Sequence, residues 1–184
     1  PLYSSAASDV YKRQDILNKI EVKAGDVVMV KAGTIHAIGA GVFICEIQQN
    51  SNCTYRMYDY DRRDKFGNPR ELHVKKALDV VDNHKYIKDN KTEVVIARNE
   101  HFTEERLVQC KYFEVYKYAV NDEAKITVDE ASFVSVLFIN GSGTIETDDY
   151  EKTMEFKAGD SFFVSAGLRS IIIKGHATMV VTRV

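Results

Sequence analysis

No apolar run in this chain of 184 residues approaches the roughly 20 residues needed to cross a bilayer as a helix, so no membrane contact is expected. Neither sign of charge is in surplus. The 25 Lys and Arg against 27 Asp and Glu leave a formal charge of -2, which gives no electrostatic case for a nucleic-acid partner. Proline is nearly absent (Pro1 and Pro69), and ten glycines without a period exclude collagen-like or proline-rich chains. Three cysteines, Cys45, Cys53 and Cys110, are odd in number and lack zinc-motif spacing, so they read as reduced thiols of a cytoplasmic protein. The opening stretch "PLYSSAASDVYKRQ" has no initiator Met, no apolar core and no small-residue cleavage site, so it is no secretory signal. It resembles translated adapter sequence, and residues 1–14 are expected to be a non-native leader.

What is present is a globular composition, 45% hydrophobic and 28% charged. From Val94 to the end, short β-branched and aromatic runs alternate with Gly, Asn and Asp turns, with about seven strands in some ninety residues. That pattern predicts an all-β sandwich or barrel over residues 93–184. The run "RLVQCKYFEVYKYAV" reads as one strand, and "RSIIIKG" and "ATMVVTRV" as two. Residues 15–66 hold too few strands to close alone and read as half of a second barrel, with strands at Val27–Val30, around Phe43–Ile47 and in "TYRMYDYD". Exposed strand edges there predict poor solubility or dimerisation through that edge. Residues 67–92 read as a helix and linker. Asn68 as cap, Pro69 at the first position and Glu71 three after the cap predict a helix whose apolar stripe is Val74, Ala77, Leu78 and Val81.

Two stretches repeat without gaps at an offset of 134. Val22-Lys23-Ala24-Gly25-Asp26 aligns with Phe156-Lys157-Ala158-Gly159-Asp160, and Lys31-Ala32-Gly33 aligns with Ser165-Ala166-Gly167. His36 falls opposite Ser170. The shared turns are what a hairpin needs to fold, so both copies keep them. A histidine is not needed for that. Taken alone, His36 is most simply a partly buried or surface residue. The spacing from Gly25-Asp26 to His36 is that of the second half of the cupin pattern, in which the histidine is a metal ligand, with Lys31 standing where proline is usual.

The segment "AGTIHAIGAGVFICEIQQNSNCTYRMYDYDRRDKFGNPRELHVKKALDVV" resembles type I mannose-6-phosphate isomerase of the Bacillus-like form over roughly residues 20–82. The shared elements are the turn "GTIHAI", the run "EIQQNSNCTYRMYDYDR" and the lead "GNPRELH" into a helix. The resemblance implies a double cupin, two jelly-roll-like β barrels. This chain would carry the C-terminal half of the zinc-binding catalytic cupin, a short linking helix and a second complete cupin. It further implies that His36 is a zinc ligand and Arg56 the catalytic arginine, with one Zn(2+) per catalytic cupin and a sugar phosphate as substrate. In such enzymes the other zinc ligands, a histidine in a Q-x-H-P segment and a glutamate, lie upstream of the His36 turn. Neither segment occurs in this chain, which is therefore expected to be inactive alone.

The implied chemistry suits these residue types. Interconverting mannose 6-phosphate and fructose 6-phosphate moves a proton between C2 and C1 through an enediolate, whose negative charge a metal and a fixed guanidinium stabilise. Arg56 stays protonated at any working pH, and its ordinary alternative is a strand arginine reaching to solvent. Glu46, Gln48 and Gln49 read as polar cover, Arg62, Arg63 and Lys65 as a solvated loop, and His73, His84, His101 and His176 as structural or surface residues. Tyr58 to Asp61 read as packing and loop-ordering residues. Two further readings use the same frame. One is a non-enzymatic, sugar-binding or structural cupin that has lost its metal; the other is a dioxygenase-type metal cupin with redox-active iron.

Overall fold

The computed structural model describes residues 17–51, 53–82, 84, 94–147 and 150–184, with the backbone alone at 150–152. The expected leader and most of the polar connector after residue 84 lie outside the described residues. The chain divides into two compact units, one up to Ile87 and one from Lys88.

The second unit is an antiparallel sheet of eight strands. They are β1 (Val94–Arg98), β2 (Phe102–Gln109), β3 (Glu114–Val120), β4 (Glu123–Val128), β5 (Val134–Thr147), β6 (Tyr150–Lys157), β7 (Ser161–Val164) and β8 (Arg169–Arg183). The order runs β1-β2-β3-β8-β5-β6, with β4 also on β8 and β7 also on β5. The two long strands make the closure. The C-terminal half of β8 pairs with β3, while its N-terminal half pairs with β4. The N-terminal half of β5 pairs with β7 and its C-terminal half with β6. Strands that bend and serve two sheets make the corners of such barrels. A register shift between Phe138 and Asn140 and the glycines Gly141, Gly143 and Gly175 lie at this bend. Gly143 faces Gly175 across the ladder, and a Cβ on Gly143 would lie 2.0 Å from the Lys174 carbonyl oxygen.

The core follows from strand alternation. Ala124, Ile126 and Val128 of β4, Val134, Val136 and Phe138 of β5 and Ile171 and Ile173 of β8 are buried on one face each. Phe138 stacks on Phe156, with ring centroids 3.7 Å apart. Two strand expectations are corrected. "RLVQCKYFEVYKYAV" is two strands, β2 and β3, because Cys110 N–H donates to Phe113 O and closes a hairpin. "RSIIIKGHATMVVTR" is the single strand β8, because Gly175 (φ 126°) bends the chain without turning it back.

In the first unit, the described residues form no strand ladder, contrary to the expected strands at Val27–Val30, Phe43–Ile47 and "TYRMYDYD". An extended run becomes a strand only beside a neighbour that accepts its hydrogen bonds, and among the described residues no backbone hydrogen bond joins these runs to one another. Val27 and Met29 are half-buried and Val28 and Val30 exposed, so the alternation survives without the ladder. Phe43, in the second of these runs, is 95% exposed. The helix α1 (Val74–Val80) starts later than Asn68, with His73 at its N-cap and no side-chain cap. Asp64 explains the delay. Its carboxylate accepts the N–H groups of Phe66 and Asn68, and Pro69 then lies in an extended bridge opposite Arg63. Of the expected stripe, Ala77 is buried and Leu78 is exposed.

Candidate active site

The two copies of the repeat fold alike locally. Gly25 and Gly159 take φ values of 94° and 91°, the left-handed region open to glycine. The Asp26 N–H donates to Lys23 O, and the Asp160 N–H to Lys157 O, both at 3.1 Å. Each aspartate accepts the N–H of that lysine, at 3.2 Å in the first copy and 2.9 Å in the second. The correspondence continues to His36 and Ser170. The carbonyl of Thr34 accepts from the His36 imidazole at 2.9 Å, and the equivalent Leu168 carbonyl accepts the Ser170 backbone N–H at 2.8 Å. The second copy thus satisfies this carbonyl from the main chain and buries its serine to 2% exposure, whereas the first copy uses an exposed ring. A carbonyl only accepts, so His36 Nδ1 carries the proton and a neutral ring keeps its Nε2 lone pair available.

Arg56 stands at a crossing of two segments. Its backbone N–H donates to His73 Nδ1 at 3.3 Å, and His73 N–H donates to Arg56 O at 2.7 Å. Its Nη1 donates to the Glu71 carbonyl at 3.2 Å, and its Nε lies 3.7 Å from Asp59 Oδ1. Asp59 is 9% exposed and is gripped by Arg70, whose Nε donates to Oδ2 at 2.6 Å and whose Nη2 donates to Oδ1. That two-pronged pair, with Arg56 and Arg62 adding positive charge, holds the Asp59 carboxyl below its ordinary value of 3.8 and raises the Arg70 guanidinium above its own. The chain reverses just after Asp59. Arg62 N–H donates to Asp59 O at 2.9 Å, with Tyr60 and Asp61 both at positive φ, 51° and 54°. Aspartate tolerates that region and tyrosine rarely adopts it, so the turn stores about 1–3 kcal/mol per such residue. The Tyr58 ring meets Tyr60 edge-on at 4.8 Å, and Arg62 lies over the Tyr60 ring.

Among the described residues, no hydrogen bond, ion pair or ring contact joins His36 to Arg56, and no group of three His, Cys, Asp or Glu side chains could hold a metal. Glu46, Gln48 and Gln49 are exposed. Arg70 was not singled out by the sequence, and His73 was read there only as a structural or surface residue. Both sit in "GNPRELH", a stretch valued as a helix entry, and its match to the family was the signal available. The loop residues Arg63 and Lys65 are exposed as expected, with Arg63 donating to Gly67 O and Lys65 over the Phe66 ring.

The jelly-roll-like closure of the second unit defines a cupin. Residues 103–184 match the family described as "Mannose-6-phosphate isomerase, cupin domain". ManA of Bacillus subtilis, a mannose-6-phosphate isomerase, is 34% identical over 178 residues, 91% of this chain and 52% of ManA. YvyI of the same organism is 41% identical over 176 residues, 93% of this chain and 52% of YvyI. The crystal structure of the Bacillus subtilis mannose 6-phosphate isomerase superposes with a TM-score of 0.64 at 38% identity, covering 74% of this chain and 42% of that one. Residues 103–184 thus carry the cupin domain of the mannose-6-phosphate isomerase family, and the chain spans about half the length of the curated relatives it matches. No helix among the described residues is long and apolar enough to cross a membrane.

Proposed function

We propose that the protein carrying this chain is a zinc-dependent aldose–ketose isomerase acting on mannose 6-phosphate and fructose 6-phosphate in the cytoplasm. The observation that carries this reading is the similarity to a mannose-6-phosphate isomerase along 91% of the chain, which includes both His36 and Arg56. Two features of the first unit suit it. The Thr34 carbonyl fixes the His36 tautomer with Nε2 free, the form in which a histidine ligates a metal, so His36 is assigned as one zinc ligand. A catalytic zinc takes about three protein ligands, and among the described residues no group of three candidate ligands comes together. When bound, zinc supplies Lewis-acid polarisation of the sugar oxygens.

The remaining chemistry belongs to the chain. Moving a proton between C2 and C1 leaves an enediolate with negative charge on oxygen. Arg56 is three-quarters buried and is held at Nε and Nη1. A guanidinium fixed in this way stabilises the developing charge without having to reorganise. The test is to express the complete reading frame from its source and follow mannose 6-phosphate by 31P NMR, with and without a chelator. Conversion to fructose 6-phosphate that a chelator stops and zinc restores is the expected result. Metal-replete protein that binds sugar phosphate without converting it would replace this reading with the non-enzymatic cupin.

A further inference from the structure

Resting on the isomerase reading above, we propose that Asp59 and Arg70 form a positioning pair that aims the Arg56 guanidinium at its substrate. Three observations converge. First, Arg70 engages both oxygens of Asp59 and so fixes the plane of a carboxylate that is itself buried. Second, that same carboxylate lies 3.7 Å from Arg56 Nε, while the segment around Arg70 reaches Arg56 directly through the Glu71 carbonyl and His73. Third, the backbone on the far side of Asp59 is held in an unfavourable turn, with Tyr60 and Asp61 at positive φ. Strain kept beside a site marks a conformation that its surroundings over-determine. Among the described residues Nη2 of Arg56 makes no hydrogen bond, so this edge of the fork is left for a substrate oxygen.

An arginine has many rotamers, and productive geometry tolerates displacements of only about 0.5 Å. A carboxylate clamped by a second arginine removes that freedom. Arg70 needs no contact with substrate to do this. Lysine at position 70 would keep the charge and lose the two-pronged grip.

The experiment uses the complete protein with Asp59→Asn, Arg70→Lys, Arg56→Ala and the Arg56→Ala/Asp59→Asn double variant. It reads kcat and KM for mannose 6-phosphate, together with the 15N–1H resonance and solvent exchange of Arg56 Nε. Asp59→Asn is expected to lower kcat by about 10²-fold with KM within about twofold, the scale of a misplaced catalytic group. Arg70→Lys should fall between that variant and the parent. In the Arg56→Ala background Asp59→Asn should add no further loss, and in the single variant the protected Arg56 resonance should move to fast exchange. Unchanged kcat in Asp59→Asn, or a full multiplicative loss in the Arg56→Ala background, overturns the positioning role. If the parent has no isomerase activity, the isomerase reading fails. The Arg56 resonance then decides by itself: continued protection in Asp59→Asn overturns the pair as what holds Arg56, and loss of protection upholds it.

Discussion

Replacing Gly143 by alanine tests how the second unit closes. Gly143 lies opposite Gly175 where the long strands β5 and β8 cross the bend. A Cβ there would sit 2.0 Å from the Lys174 carbonyl oxygen and 2.9 Å from the Phe156 ring. An ordinary carbon–oxygen contact is about 3.3 Å, so the strands must part by roughly 1.3 Å. That displacement carries ladder hydrogen bonds of about 2.9 Å beyond bonding range. Losing two of them costs about 1–3 kcal/mol, and the overpacking adds about 1–3 kcal/mol. The sum, about 2–6 kcal/mol, is a large share of the 5–15 kcal/mol typical of a domain. Gly167→Ala is the control. It has open space at its Cβ but a φ of 80°, so it should cost only about 1 kcal/mol of backbone strain. Urea unfolding followed by near-UV circular dichroism suits a chain with ten tyrosines and no tryptophan. With a slope of about 1–3 kcal/mol per molar, Gly143→Ala should lower the midpoint by about 1–3 M. A shift below about 0.5 kcal/mol, or one no larger than that of Gly167→Ala, would refute the close-crossing argument.

The other predictions concern the core, pH and metal. Phe138→Ala empties a fully buried position stacked on Phe156 and should cost about 3–5 kcal/mol, lowering Tm by more than about 12 °C in a thermal melt. His101 donates from Nδ1 to both Asp122 oxygens at 2.9 Å and ties the β1–β2 turn to the β3–β4 turn, with Glu100, Glu123 and His176 nearby. The bond to Asp122 raises His101 above 6.5, so its contribution is complete below pH 6.5 and lost as pH rises through the folded value; Asp122, lowered below 3.8, loses its own as pH falls through its folded value. The urea midpoint should therefore fall between pH 6 and pH 8 by more in the parent than in His101→Gln, and equal falls would remove the tie. His36→Ala in the complete protein should lose its bound zinc on gel filtration, and one zinc per chain remaining would show that His36 is not a ligand.

Much of the second unit was legible in the sequence because its strands carry their own alternation and turns. Ile126 and Val128 or Val134 and Val136 repeat at a period of two, and Gly159-Asp160 announces its turn. Where one strand ends and the next begins was harder. Gly175 looks like a turn residue and is a bend, because the β5 partner continues past it. The hairpin at Cys110–Phe113 has no Gly or Pro to mark it. In the first unit, alternation promised strands, but pairing depends on neighbours that a local pattern does not contain. His36 and Arg56 became candidates through the family resemblance, and the repeat gave His36 a second signal. The Asp59–Arg70 grip was not visible, because residues eleven apart in a loop share no periodicity, and their meeting is a product of the turn at Tyr60 and Asp61.

The most direct measurement is the steady-state turnover of mannose 6-phosphate by the complete, zinc-loaded protein, with Arg56 intact and as Arg56→Lys. A lysine keeps the charge but cannot hold the Nε and Nη1 contacts to Asp59 and Glu71. Fructose 6-phosphate formed by the parent, with kcat lower by about 10²-fold in Arg56→Lys, is the predicted result. No product from the parent, or an undiminished kcat in Arg56→Lys, would contradict the account.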